Sequence, residues 1–208
     1  MMLLIKREDG PVSRHLNRRL SMLITLKILY RTSLTPNQVT FIVFVITLSS
    51  LPAYLSGIYW LGGLLAQLGS MLDGCDGELA RLKGMSSERG AFYDTVLDRY
   101  SDILVTMMVT YRLCIDFRTY AWIPGFLAAV GGIMTSYTAT ILKYRVGMDI
   151  KWPLLLSDGR DVRMLLLALG SFLAHLSPLY LVYTLSWIAF VTNLKVAYRL
   201  VKATEILG

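Results

Sequence analysis

Three long uncharged runs alternate with shorter charged segments along the chain. They cover residues 32–72, 119–142 and 164–194 and contain no Asp, Glu, Lys or Arg. A membrane-crossing helix needs about 20 mainly apolar residues, so the first and third runs are each too long for one helix. Turn signals at Ser56-Gly57 and Ser177-Pro178 divide them. The pattern predicts an all-α polytopic membrane protein.

The same pattern predicts six transmembrane helices preceded by an N-terminal amphipathic surface helix. Residues 10–31 alternate basic and apolar side chains, which is typical of a helix lying on an anionic membrane surface; a solvated helix before the first span is the alternative. Thr35-Pro36 suits an N-cap and first helical residue. The chain thus divides into an N-terminal segment, 1–34, and a six-helix domain, 35–208. The spans are predicted at about residues 35–56, 58–81, 87–113, 119–144, 158–176 and 178–200.

Composition and charge agree with a membrane protein and argue against a nucleic-acid partner. Of the 208 residues, 55% are hydrophobic and 17% are charged, whereas soluble domains carry about a quarter charged residues. The net charge is +7, but the basic residues flank the apolar runs, as the positive-inside rule describes. Their asymmetry predicts an integral protein of the cell membrane with both termini and the acidic motif on the cytoplasmic side. Cys75 and Cys114 give no disulfide framework.

Acidic residues concentrate between Asp73 and Asp102, where half of the chain's 14 acidic residues lie. They recur at steps of three and four, the spacing that places side chains on one face of a helix. The second and third predicted spans share a short turn and are expected to be antiparallel neighbours. Asp73 and Asp76 then face Asp94 and Asp98 near the inner membrane boundary.

Four converging carboxylates repel one another at low dielectric and call for divalent cations. An all-oxygen ligand set suits Mg²⁺, Mn²⁺ or Ca²⁺; without a histidine in the motif, zinc is disfavoured. Gly77, Ala80 and Gly90 leave space for a substrate, and Arg81 is a natural partner for a phosphate. These features indicate a two-metal phosphoryl-transfer site, with a structural role for the carboxylates as the alternative.

The string Asp73-x2-Asp76-Gly77-x2-Ala80-Arg81-x8-Gly90-x3-Asp94-x3-Asp98 resembles the signature of the CDP-alcohol phosphatidyltransferase family. That family transfers the phosphoalcohol of a CDP-alcohol to an acceptor hydroxyl and releases CMP. The resemblance implies Mg²⁺ or Mn²⁺, with two ions, held by Asp73, Asp76, Asp94 and Asp98. It also implies Asp98 as the base. The residues that it places at the CDP site are Asn37, Thr40, Gly77, Ala80, Arg81 and Gly90; for Asn37 and Thr40, a helix cap and an ordinary polar turn are the alternatives. Asp102 lies outside the signature, and a supporting or helix-packing role is expected for it.

Basic residues near the cytoplasmic ends of the last three spans are candidates for binding an anionic acceptor such as an inositol or sugar phosphate. The alternative is contact with lipid headgroups. The candidates are Lys143, Arg145, Arg160, Arg163 and Arg199.

The run from Asp9 to Arg19, followed by residues 35–40, resembles more narrowly the membrane domain of bifunctional inositol-phosphate cytidylyltransferase and di-myo-inositol-phosphate-phosphate synthase proteins. In those, a soluble nucleotidyltransferase precedes the six-span domain. The resemblance implies CDP-inositol and inositol phosphate as substrates, a fused or separate cytidylyltransferase as partner, and a homodimer in the membrane. A phospholipid synthase with a CDP-diacylglycerol or archaeal ether-lipid donor is the alternative enzyme. An ion transporter and a membrane scaffold are the alternatives from other classes.

Overall fold

The computed structural model describes residues 17–117, 120–147 and 159–207, and these are helical with short connections. No strand occurs within these three ranges, which confirms the all-α class. A 3-10 turn, Leu29–Arg31, follows the first helix. The helices are α1 (Arg18–Lys27), α2 (Pro36–Leu48), α3 (Ser50–Leu55), α4 (Tyr59–Leu72), α5 (Gly74–Leu82), α6 (Glu88–Phe117), α7 (Trp122–Val146), α8 (Arg160–Leu173) and α9 (Leu179–Leu207).

Each of the six predicted spans contains helix, but the first two are interrupted. The first divides into α2 and α3 because Pro52 has no N–H to offer the carbonyl one turn earlier, at the end of α2. The second divides into α4 and α5 at Asp73. Three of the described segments are long and apolar enough to cross a membrane: Pro36–Leu55, Trp122–Arg145 and Leu179–Ile206. That α4–α5, α6 and α8 also cross stays a prediction.

The start of α2 follows the predicted capping chemistry. Thr35 has extended backbone geometry, and Pro36 is the first helical residue. The Gln38 amide donates to the Thr35 hydroxyl at 3.4 Å, and the Thr35 amide donates to the Gln38 side chain at 2.9 Å, which is a capping box. Lys83, just after α5, donates to the carbonyls of Thr32 and Leu34 at 2.7 and 2.9 Å. The end of α5 is thereby tied to the start of α2.

The packing order places α2 between the two helical units that carry the acidic motif. The α4–α5 unit and α6 each pack against α2, and they are not among the closely packed helix pairs of the described residues. The second and third spans therefore meet through the predicted carboxylates rather than by close packing of their backbones. The carboxylates face one another across a gap, and such a gap is what a cation or substrate needs.

The remaining long helices, α7, α8 and α9, pack against one another and against α4 and α6. α7 packs along α9, α4 packs against α8, and α6 packs against α7. Gly131 of α7 lies directly against α9, because a Cβ placed there would come within 2.1 Å of the Thr192 hydroxyl. This glycine therefore serves a contact within the chain. The predicted homodimer has no counterpart in the single chain and stays a prediction.

The N-terminal helix α1 lies against α5 and α4. Its buried residues, Ser21 and Thr25, are polar, whereas Leu23, Leu26 and Ile28 are exposed. Of the predicted amphipathic segment, residues 10–16 lie outside the described ranges, and the location of α1 on a membrane surface stays a prediction.

Candidate active site

Three of the four predicted metal ligands come together in the gap between the α4–α5 unit and α6. One carboxylate oxygen each from Asp73, Asp94 and Asp98 lies within 4.8 Å of the others. Asp73 lies at the junction of α4 and α5, where the helix is interrupted, and the other two lie one turn apart on α6. Oxygen ligands at this separation suit a divalent cation.

The fourth predicted ligand, Asp76, borders the same cleft one turn along from Asp73. Its Oδ2 accepts a hydrogen bond from the Thr40 hydroxyl at 2.5 Å, and its Oδ1 accepts from the Gly77 amide at 2.5 Å. Its carboxyl group also contacts that of Asp94, as that of Asp73 contacts that of Asp98. Two carboxyl pairs therefore span the gap between the helices.

Arg160, at the start of α8, reaches into this group of carboxylates. Its Nη1 lies 2.5 Å from Asp73 Oδ1 and 3.0 Å from Asp98 Oδ1, and its Nε lies 2.8 Å from Asp102 Oδ1. One guanidinium cannot balance the carboxylates that surround it, and at low dielectric this leaves an attraction for further positive charge. The residues present therefore fit a bound divalent cation.

Asp102 holds arginines from two helices. Besides Arg160, it accepts from Arg163 Nη2 at 3.0 Å and from Arg99 Nη1 at 3.3 Å. Its side chain is 11% exposed. These contacts agree with the supporting role expected for Asp102.

A cavity of about 210 Å³ adjoins the carboxylates. Its walls come from the start of α2, from the cleft side of α5, and from the turn and first residues leading into α6. All six residues predicted for the CDP site line it: Asn37, Thr40, Gly77, Ala80, Arg81 and Gly90. Asp76 and Asp94 line it as well, so the cavity and the carboxylate cluster are continuous.

The two glycines of the motif have different surroundings. A Cβ on Gly90 would meet Asn37 Oδ1 at 3.1 Å, so this glycine lets α6 approach the start of α2. A Cβ on Gly77 would meet only Arg81 Nη1 among neighbouring atoms, at 3.5 Å, an ordinary contact. The space beside Gly77 therefore belongs to the cavity.

The five basic residues predicted for an acceptor phosphate have separate surroundings. Arg160 and Arg163 share Asp102. Arg199 of α9 is buried and donates from Nη1 to the Thr135 carbonyl of α7 at 2.5 Å. Lys143 and Arg145 are exposed near the end of α7. Of these five residues, Arg160 contacts Asp73 and Asp98 of the carboxylate cluster.

Two features of the site region go beyond the sequence prediction. One is the contact of Arg160 with Asp73 and Asp98. These residues are too far apart in sequence for their spacing to predict the contact. The other is Glu78, which is fully buried and bound by α1. The sequence does contain a pattern that could have predicted the contact of Glu78 with α1. Arg18, Ser21 and Thr25 recur at steps of three and four, which places polar groups on one face of a helix.

Comparison with known proteins identifies the class and then the family. A family model described as CDP-alcohol phosphatidyltransferase matches residues 33–197, so the chain is a transferase with a membrane protein's fold. It belongs to the CDP-alcohol phosphatidyltransferase family. The resemblance based on the Asp73–Asp98 signature is confirmed.

Relatives in two groups are similar to this chain. A "Bifunctional IPC transferase and DIPP synthase" of Aquifex aeolicus is 34% identical over 196 residues, covering 90% of this chain and 42% of the relative. An "Archaetidylinositol phosphate synthase" of Pyrococcus horikoshii is 34% identical over 170 residues, covering 79% of this chain and 84% of the relative. The chain therefore spans less than half the length of the bifunctional relative.

Solved structures share the fold. Mycobacterium tuberculosis phosphatidylinositol phosphate synthase with CDP-DAG bound has a TM-score of 0.76 and 21% identity, over 88% of this chain and 92% of the other. The same enzyme in complex with manganese and citrate has a TM-score of 0.70. The helical arrangement described above is thus that of a known membrane enzyme.

Proposed function

We propose that this chain transfers the phosphoalcohol group of a CDP-alcohol to an acceptor hydroxyl and releases CMP. The observation that carries the proposal is the continuity of the Asp73, Asp94 and Asp98 cluster with a cavity lined by all six residues predicted to bind CDP. A nucleotide in that cavity has its diphosphate beside the carboxylates. Membership of the family supports the same reaction.

Two Mg²⁺ or Mn²⁺ ions are the proposed cofactors, with Asp73, Asp76, Asp94 and Asp98 as the residues that would hold them. The cluster of Asp73, Asp94 and Asp98, with Asp76 bordering the same cleft, supports this ligand set. When bound, such ions neutralise the diphosphate and make CMP a better leaving group. A structural neighbour solved with manganese supports this choice of metal.

The protein's own groups divide the remaining work. Asp98 accepts the proton of the acceptor hydroxyl as its oxygen forms a bond to the β-phosphorus. The bond from that phosphorus to the oxygen bridging it to CMP breaks, and CMP leaves with the electron pair. Arg81 lies where it can bind the diphosphate, and Gly77 and Gly90 leave the nucleotide its space. Thr40 holds the Asp76 carboxylate in place through its hydroxyl.

The proposed acceptor carries a phosphate, bound by the basic residues around α8. Asp102 holds both Arg160 and Arg163, and Arg160 also contacts Asp73 and Asp98. Lys143, Arg145 and Arg199 complete the proposed set from α7 and α9. An arginine fork suits a phosphate because it can donate two parallel hydrogen bonds.

The specific reaction proposed first joins CDP-inositol to inositol phosphate and gives di-myo-inositol-phosphate phosphate. Relatives called bifunctional IPC transferase and DIPP synthase, 32–40% identical to this chain, support it. A fused or separate cytidylyltransferase then supplies the CDP-inositol. The second candidate is phospholipid synthesis from a CDP-diacylglycerol or archaeal ether-lipid donor, favoured by the archaetidylinositol phosphate synthase relative, of which this chain covers 84%.

The proposed setting is a cell membrane crossed six times by domain 35–208, with the active site on the cytoplasmic side and segment 1–34 on the membrane surface. The apolar segments Pro36–Leu55, Trp122–Arg145 and Leu179–Ile206 support the membrane location. The distribution of Lys and Arg supports the orientation. A homodimer is part of this proposal.

A CMP-release assay tests the reaction and separates the two candidates. Purified protein is incubated with Mg²⁺ or Mn²⁺, one of CDP-inositol, CDP-glycerol or CDP-diacylglycerol, and either inositol phosphate or glycerol phosphate. CMP release that depends on CDP-inositol and inositol phosphate supports the first candidate, and release with the lipid donor supports the second. Absence of CMP release with every pair contradicts the proposed reaction.

A further inference from the structure

Glu78 is a buried acidic residue that the transfer reaction does not use. It lies on α5 directly after Gly77, and the residue is 0% exposed. A carboxylate withdrawn this completely from solvent is costly unless its oxygens are hydrogen-bonded and its charge is paired. Its surroundings therefore need an explanation.

The partners of Glu78 all come from one face of the N-terminal helix α1. Ser21 Oγ donates to Oε1 at 2.8 Å, and Thr25 Oγ1 donates to Oε2 at 2.9 Å. Arg18 Nη1 donates to Oε1 at 3.2 Å and supplies the opposite charge. Both carboxylate oxygens are thus bound by α1.

Further contacts bring α1 close to the α4–α5 junction. A Cβ on Gly74 would come within 2.7 Å of Arg18 Nη1, so a larger residue here would require the Arg18 side chain to move. The buried Cys75 thiol donates to the Ser21 carbonyl at 3.6 Å, and Asn17 Nδ2 donates to the Ser70 carbonyl at 3.3 Å. The polar face of α1 therefore contacts the α4–α5 junction through several hydrogen bonds and one ion pair.

Other residues of the same short helix form the active-site wall. Asp76, Gly77 and Arg81 of α5 line the cavity, and Asp73 immediately precedes the helix. α5 has nine residues and is separated from α4 by Asp73 alone, whose backbone dihedrals are helical. A helix this short takes its position from tertiary contacts rather than from its own stability, and its contacts with α1 are centred on Glu78.

We propose that Glu78 is a positioning residue, which fixes α5 through α1 so that Asp73 and Asp76 stay in register with Asp94 and Asp98. The inference rests on the proposed function in that these aspartates hold the metal ions. Residues that hydrogen-bond or orient the metal-binding side chains influence the affinity of the site for the metal, although they do not contact the metal themselves. A small displacement of reacting groups is also enough to slow a reaction strongly.

The test compares Glu78→Gln with Glu205→Gln, which removes an exposed carboxylate of α9 that pairs with Lys202. Mn²⁺ affinity is measured without substrate, by electron paramagnetic resonance of the free ion in detergent solution. Glu78→Gln is expected to raise the Mn²⁺ dissociation constant about tenfold or more, and Glu205→Gln to leave it unchanged.

A thiol-reactivity measurement reports the α1–α5 contact independently of metal. Cys75 is 1% exposed beneath α1, and the second cysteine, Cys114, is removed by Cys114→Ser. In that background, Glu78→Gln is expected to increase the rate at which a maleimide modifies Cys75. If Glu78→Gln does not fold, Thr25→Val removes one donor at nearly constant volume, with Thr204→Val on an exposed face of α9 as its control.

The outcomes distinguish positioning from simple packing. Faster Cys75 modification together with weaker Mn²⁺ binding supports the inference. Faster modification with unchanged Mn²⁺ affinity means that α1 only stabilises the fold, and unchanged values of both mean that Glu78 does not hold α5; either result overturns it. A wild-type protein that releases no CMP contradicts the proposed reaction, and the Mn²⁺ comparison remains a test of positioning.

Discussion

Two kinds of carboxylate occur on α5 and α6. Glu78 and Asp102 are each surrounded by donors: a serine, a threonine and an arginine of α1 for Glu78, and three arginines for Asp102. Asp94, by contrast, faces Asp73 and Asp98, with their carboxylate oxygens within 4.8 Å of one another. Donors surround each carboxylate of the first kind, whereas in the second Asp73 and Asp98 share the guanidinium of Arg160.

This difference separates carboxylates that stabilise the fold, Glu78 and Asp102, from carboxylates that are arranged to bind a ligand. A buried charge with its partners present loses stability when one partner is removed. A group of like charges lowers the stability of the folded protein, and such groups are found where function requires them. Sequence spacing alone places Asp94, Asp98 and Asp102 in one stripe at steps of four. In the structure, Asp94 and Asp98 belong to the carboxylate cluster, whereas Asp102 is paired with arginines.

The largest expected effect is on catalysis, from Asp98→Asn. The amide cannot accept the acceptor's proton, so turnover should fall by about 10²–10⁴-fold, the usual contribution of a general base. CMP release with the substrate pair that wild type accepts is the measurement. Glu205→Gln, far along α9, is the control and should keep wild-type turnover. Appreciable turnover by Asp98→Asn would show that another group acts as the base.

Next in size is a stability difference between two matched substitutions on α6, Asp102→Asn and Asp94→Asn. Removing the Asp102 charge leaves buried Arg163 without that partner, and such losses cost about 3–5 kcal/mol of unfolding free energy. Asp94→Asn relieves repulsion from Asp73 and Asp76, so without divalent cations its stability should equal or exceed that of wild type. Thermal unfolding in detergent with a chelator, followed by tryptophan fluorescence, measures both. Equal destabilisation by the two substitutions would remove the distinction between the carboxylates.

Much of the fold could be predicted from the sequence, and so could the part of the site proposed to bind the CDP-alcohol. Both depend on patterns that are local in the sequence. Uncharged runs located α2, α3, α4 and the apolar parts of α7, α8 and α9. Thr35-Pro36 located the start of α2, since hydropathy and capping act over a few residues. The six residues predicted to bind CDP line one cavity because the motif residues share two helix faces next to the start of α2.

The remaining features depend on contacts between segments distant in sequence. Arg160 lies 62 residues beyond Asp98, and no periodicity joins α8 to α6. The gap between the α4–α5 unit and α6 arises because both pack on α2, an outcome of three-helix geometry rather than of a short connecting turn. Likewise, the role of the polar face of α1 could not be predicted, because it depends on the contact of Ser21 and Thr25 with Glu78.

A smaller effect is expected from metal itself. Binding to the folded state alone stabilises it by mass action, by about 2.7 kcal/mol at a hundredfold excess over the dissociation constant. Mg²⁺ or Mn²⁺ should therefore raise the unfolding temperature of wild type, and Asp94→Asn should abolish that rise. Ca²⁺ is a useful third ion because it accepts the same oxygen ligands at longer distances. If the ions raise the unfolding temperature of Asp94→Asn as much as that of wild type, they bind elsewhere.

The smallest effect compares two glycines on α5, Gly77→Ala and Gly74→Ala. A Cβ at Gly77 meets only Arg81 Nη1, at 3.5 Å, whereas a Cβ at Gly74 would lie 2.7 Å from Arg18 Nη1 and 3.2 Å from Ser21 Oγ. Gly77→Ala should therefore keep or raise the unfolding temperature, because alanine favours helix over glycine by about 1 kcal/mol. Its added methyl group occupies the nucleotide's space and should raise the KM for the CDP-alcohol about tenfold, the usual order for one misplaced methyl group in a fitted site. Gly74→Ala should instead lower the unfolding temperature, because the added methyl group displaces the Arg18 guanidinium that pairs with Glu78. If Gly77→Ala binds the CDP-alcohol as well as wild type does, the nucleotide does not lie against this face of α5.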